Sequence, residues 1–283
     1  MFLSRLARHP ASPACRRTAI RILRPPTLRH YATESPAQPA TATNRAEATL
    51  KRFWKHVDIV PHESQLAITL DKRPLKTPAG KKLLVPTKKQ LVASLIASEW
   101  DNQVTVLKPH SLPMTSLTAR AIDSMEDERT RAEVREALLK YFDTDTICFF
   151  SERPEALAKL EEEHWIPTID WARQKFGIDI LTTNTIVFSP QPDESKKVLD
   201  EVMQKFDLWQ MAAMERATYT TKSFLLALAL VHKRITAEQT ALASQVEVSS
   251  QIQAWGEVED SHDVDYHDVR RHVASAACLL SDI

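Results

Sequence analysis

The densest gathering of side chains able to bind a metal or move a proton lies late in the chain. It is Glu257-Val258-Glu259-Asp260-Ser261-His262-Asp263-Val264-Asp265-Tyr266-His267-Asp268, with His272 beyond it. Three histidines and six carboxylates are the ligand types of a metal-dependent hydrolase. The spacing is wrong for one. His262 and His267 stand five apart and no Glu follows either directly, so HExxH is missing; no glycine supplies the sharp turn of a calcium loop. An acidic loop leading into a final helix, with carboxylates favoured near that helix's N-terminus, is the simpler expectation. A hydrolase built on His262, His267 and His272 stands as the alternative.

Other chemistries find less support. No GxSxG places a serine on a strained turn, and no CxxC is present. Cys148 and Cys278 lie in apolar surroundings that suit inert thiols, and Cys15 lies in the basic leader described below. Glu161-Glu162-Glu163 reads as a solvated helix face. Only Gly80, Gly177 and Gly256 occur, far apart, so neither GxxxxGK[ST] nor GxGxxG can be built. The residues imply no catalytic group, no cofactor and no metal.

The elements that would position any site fall into two parts. Short β-branched runs at 53–60, 66–70, 75–77 and 82–85, separated by Pro61-His62-Glu63-Ser64, Asp71-Lys72-Arg73-Pro74 and Pro78-Ala79-Gly80, predict a small antiparallel sheet. At Thr87-Lys88-Lys89-Gln90 the pattern fits a capping box, and Leu91, Val92, Leu95, Ile96 and Trp100 follow at helical spacing. Two prolines in Leu107–Pro113 predict an extended connector. Beyond it, helices are expected at 117–125, 131–142, 154–176, 194–206, 221–232, 237–255 and 266–280, with Gly177 and Gly256 as left-handed C-caps and Pro154 and Pro192 at helix starts. Ile186-Val187-Phe188 fits a strand or an apolar loop. The fold class is α+β: a β-rich N-terminal domain with one helix, 51–113, then a larger helical domain, 114–283.

Charge divides the chain further. Lys and Arg total 37, as do Asp and Glu, yet before Glu34 there are seven Arg, no Lys and no acid. Arg interrupts each apolar run there, which excludes a secretory core and fits a mitochondrial matrix presequence over 1–31. Arg29-His30-Tyr31 predicts a mature start near Ala32, and residues 32–50, rich in Pro, Ala and Thr, read as a disordered tether. The remainder carries 30 basic and 37 acidic residues, which argues against nucleic acid as a partner. Its most apolar run, 224–231, is far too short to span a bilayer and reads as a buried helix.

A series of short motifs occurs in order: Phe53-Trp54-Lys55, Leu70 to Pro78, Val85-Pro86-Thr87, Glu99-Trp100-Asp101-Asn102-Gln103, Leu112-Pro113-Met114-Thr115, Tyr141, Thr144-Asp145, Trp165 to Trp171, and finally Glu247, Gln251 and Trp255-Gly256. Together they resemble the mitochondrial assembly chaperone family that attends the α subunit of the F-type ATP synthase head. The resemblance implies a monomeric, non-enzymatic binder of unassembled α subunit that prevents its aggregation until β subunit replaces it. It also implies partner-binding roles for Glu247, Gln251, Trp255 and Gly256, and for Trp100 and Asp101. Glu247, Gln251 and Trp255 repeat at four-residue spacing, which aligns them on one helical face. A permanent structural subunit is the remaining alternative.

Overall fold

The structure is a computed structural model that describes residues 51–185 and 190–283. The expected presequence and tether and the Ile186-Val187-Phe188 run lie outside the described residues. Positive-φ turns start the fold. Glu63 (φ 55°) closes the hairpin between β1 (Val57–His62) and β2 (Gln65–Leu70), and Asp71 and Lys72 (φ 47° and 67°) turn the chain into β3 (Arg73–Pro74). Two successive positive φ values match a tight hairpin to the twist of its strands. Asp71 secures this turn by accepting from the backbone N–H groups of His56 and Lys55, which hold its carboxyl below the usual range. β4 (Leu84–Pro86) pairs with the other end of β2, so β2 is the centre of an antiparallel sheet, flanked by β1 on one side and by β3 and β4 on the other.

Helix α1 (Gln90–Asp101) lays Val92, Ala93 and Ile96 against the sheet's buried residues Ile68, Leu70, Leu83 and Val85. The helical body follows: α2 (Pro113–Ser124), α3 (Glu128–Asp143), α4 (Glu155–His164), α5 (Ile166–Phe176), α6 (Asp193–Gln204), α7 (Leu208–Thr221), α8 (Phe224–Val231), α9 (Ala237–Ser244), α10 (Val246–Trp255) and α11 (Glu259–Leu279). All eight residues of α8 are buried, as an uninterrupted apolar run of that length requires. α7 lies against α8, α2 and α11, and a bidentate ion pair from Arg120 to Glu215 (2.7 and 2.9 Å) joins it to α2. The apolar core runs without a break from Trp54 to Leu280. No helix among the described residues is long and apolar enough to cross a membrane.

The start of α1 meets the C-terminal residues. Lys89, 3% exposed, donates to the carbonyls of Leu279 (2.8 Å) and Ser281 (3.1 Å) and pairs with Asp282 (3.0 Å), while the Leu91 N–H donates to an oxygen of Ile283 (2.7 Å).

Several expectations are corrected. Lys89 is the N-cap of α1 and no side chain caps it there, so the predicted box at 87–90 is absent; its lysine is drawn inward to the C-terminal carbonyls. The first strand begins at Val57, because Trp54 is committed to the core and donates its indole N–H to the Trp100 carbonyl (3.2 Å). The run at 75–77 contributes a bridge from Lys76 to Lys82 and no strand. The helix expected over 154–176 divides at Trp165, since Pro167 brings no N–H to the ladder and its ring opposes a continuous helix. That over 237–255 divides at Gln245 (φ −113°), where Val246 turns into the core. Gly177 is the expected left-handed cap (φ 64°, ψ 38°), whereas Gly256 (φ 88°, ψ 169°) is not; it takes an extended mirror-image conformation open almost only to glycine. α7 was not expected at all. The acidic stretch is no loop either: α11 begins at Glu259 and absorbs it.

Candidate partner-binding site

Helix α10 carries three of the six residues singled out by the resemblance, and a fourth, Gly256, follows its last turn as the C-cap. Its buried face is narrow, with Val246 and Ser250 turned inward, so residues one position further on face out. Glu247, Gln251 and Trp255 are all exposed, and Trp255 is 82% exposed. Gly256 then redirects the chain into α11, leaving Val258 exposed beside that indole in sequence. An indole this bare has no structural partner among the described residues, and large aromatic side chains in that state mark contact surfaces.

Glu161 of α4 belongs to the same neighbourhood, although sequence reasoning assigned it to a solvated face. It is fully buried. One carboxylate oxygen accepts from the Ser151 N–H (2.7 Å), and the other has no partner. Burial pushes its pKa up, the Ser151 hydrogen bond opposes this, and the negative charge of Glu247 adds a further upward push. Only tertiary packing of α4 on α10 reveals this coupling.

Trp100 and Asp101 lie apart from this stripe, at the end of α1. The Trp100 ring packs at a tilt of 58° against Trp54 (centroids 5.0 Å apart) and donates its indole N–H to Thr115 Oγ1 (3.0 Å). Asp101 is exposed, 3.6 Å from the Arg52 guanidinium. Neighbouring Glu99 supplies what α2 lacks: no side chain of its own caps that helix, and the Glu99 carboxylate accepts from the N–H groups of Met114 (2.6 Å) and Thr115 (2.9 Å). Gln103 organises the connector, accepting from the Lys108 N–H and donating to Ser111 Oγ. The result is a cleft of about 750 Å³ between α1, the connector and α11, lined by Leu95, Val104, Met114, Ala274 and Cys278. Cys278 is therefore half-buried on a cleft wall; Cys148 is buried in the core, and burial raises both thiol pKa values. Among the described contacts nothing joins this group to the α10 stripe.

The three histidines do not converge. At 100° per residue, positions five apart point about 140° apart around one helix, so His262, His267 and His272 of α11 face different directions. His262 accepts from the Val258 N–H through Nδ1 (3.0 Å), and His272 approaches Asp268 (3.5 Å). Among the described residues no group of three or more His, Cys, Asp or Glu is placed to hold a metal ion.

Comparison with known proteins bears on the family and the fold. Residues 51–173 match the family model described as ATP12 chaperone protein. The mitochondrial protein atp12 of Schizosaccharomyces pombe is 32% identical over 241 residues, covering 82% of this chain and 83% of its own. The Saccharomyces cerevisiae mitochondrial protein ATP12 is 31% identical, covering 84% and 86%. The crystal structure of Atp12 from Paracoccus denitrificans superposes with a TM-score of 0.70 at 26% identity, covering 82% of this chain and 97% of that one. A putative chaperone from Agrobacterium tumefaciens gives 0.71 at 30%, covering 81% and 85%. With its ordered motifs, its sheet-plus-helix architecture and relatives matched over four-fifths of its length, the chain belongs to the ATP12 chaperone family, the assembly chaperones of the mitochondrial ATP synthase.

Proposed function

We propose that this chain binds the unassembled α subunit of the F-type ATP synthase in the mitochondrial matrix, as a monomer without catalytic activity, and yields it to the β subunit. The observation that carries this reading is the exposed stripe Glu247, Gln251 and Trp255 on α10, which ends in an almost fully exposed indole. A chaperone of this kind covers an apolar client surface that would otherwise aggregate, and release demands an interface weaker than the one that replaces it. A single aromatic anchor with a charged and an amide neighbour meets both needs. Gly256 serves by holding the turn that presents the anchor.

The test is capture of isolated α subunit by the mature chain. Glu247→Lys and Trp255→Ala are each expected to abolish or weaken capture at least tenfold while changing stability by less than about 0.5 kcal/mol, as exposed positions allow. Capture by both variants at wild-type affinity rejects the stripe. A lowered melting temperature would instead mark the residues as structural.

A further inference from the structure

The negative charge of the protein is concentrated in one place. From Ile235 to Val269 there are eight carboxylates and no Lys or Arg; the rest of the chain after residue 33 holds 30 basic and 29 acidic residues. From residue 34 onward, the chain outside this segment is thus close to neutral. Two of the eight are engaged, Glu238 by Arg270 and Asp268 by Arg271. Among the described residues no ion pair or side-chain hydrogen bond reaches Glu247, Glu257, Glu259, Asp260, Asp263 or Asp265.

A solvated helix face is the ordinary fate of such charges, but two observations separate this one. Glu259 with Asp263 and Asp260 with Asp263 are like-charge neighbours one helical turn apart, each costing a few tenths of a kcal/mol, with no base between them to relieve it. The helix dipole rewards only Glu259 and Asp260, in the first turn. Large apolar side chains also interrupt the charges: beside Trp255, Val258 is 61% and Val264 66% exposed. Asp263, Val264, His267, Asp268 and Arg271 line an open concavity of about 400 Å³ on this face, and Arg271 also lines the cleft behind α1.

We infer that the outer face of α10 and the first half of α11 is a docking surface for a basic, apolar-edged surface of a partner protein. This rests on the client reading above and specifies the chemistry of the client's contact region. Apolar anchors supply the hold, and the unpaired carboxylates meet partner Lys or Arg and steer the encounter. Phosphate backbones and anionic lipid headgroups are repelled by the same charges.

The experiment measures association rate constants of the mature chain with isolated α subunit and, in parallel, isolated β subunit, at low and high ionic strength. The variants are the isosteric set Glu257→Gln, Glu259→Gln, Asp260→Asn, Asp263→Asn and Asp265→Asn combined, and a control set on α3, Glu133→Gln with Glu136→Gln. Wild type and control are expected to lose about tenfold or more in association rate at high salt. The five-fold variant should start at the slow rate and respond little to salt, with a melting temperature no lower than wild type because repulsion has been removed. Salt-insensitive binding by wild type, or wild-type rates in the five-fold variant, overturns the surface while leaving the client reading intact. Binding of β alone, with the salt response lost in the variant, keeps the surface and overturns the client's identity. Binding of neither subunit overturns both.

Discussion

Asp145 is fully buried and caps the start of α8, accepting from the Leu225 N–H (2.8 Å) while its other oxygen takes the Ile147 N–H (3.2 Å). Burial outweighs these hydrogen bonds, and its pKa is pushed up to about 6. A carboxyl whose folded-state pKa lies above its unfolded value binds protons more tightly when folded. Stability from this group is therefore greatest below about pH 4, falls as pH rises towards 6, and stays reduced above that. The loss amounts to about 2–3 kcal/mol at one pKa unit per 1.4 kcal/mol. Asp145→Asn should flatten the pH dependence of the urea midpoint between about pH 4 and 6; an unchanged slope in that window would show that Asp145 titrates normally. Trp255 is the opposite case, a large side chain left exposed by the fold, whose proposed role is in binding.

Gly177 ends α5 in the left-handed region, and a Cβ there would meet no atom within 4 Å. The penalty for Gly177→Ala is thus purely conformational, about 1 kcal/mol, and is expected to lower the melting temperature by about 2–4 °C. Gly177→Asn should cost less, because Asn tolerates that region; equal losses would point to a steric cause instead. This terminator was legible in the sequence, as was α8, since a glycine after a periodic run and an uninterrupted apolar octet are local signals. α7 was not, for a physical reason: residues on nearly all its sides are buried, so Leu208–Thr221 shows no polar-apolar period to detect. The same distinction runs through the candidate site. The four-residue spacing of Glu247, Gln251 and Trp255 put them on one face in advance, whereas the burial of Glu161 and the cleft braced by Glu99 and Gln103 depend on partners in other helices.

For the whole molecule, the junction between the start of α1 and the C-terminal residues is a stability element in its own right. Lys89→Met keeps the aliphatic stem but leaves the carbonyls of Leu279 and Ser281 without their charged donor and Asp282 without its buried partner. The expected loss is about 2–4 kcal/mol, read from the urea midpoint at unchanged m-value. A midpoint within experimental scatter of wild type would show that water replaces the ammonium without cost. The N-terminal sheet and the helical body also share one core, so damage at this junction should be felt as a single cooperative transition.

The Lys89 junction has a temporal meaning as well. Its two halves lie 190 positions apart, so a chain delivered N-terminus first exposes the lysine long before its acceptors arrive. Until residues 279–283 are in place, the Lys89 ammonium lacks its carbonyl acceptors and its carboxylate partner. The junction is thus a contact of high sequence separation, of the kind whose closure slows folding.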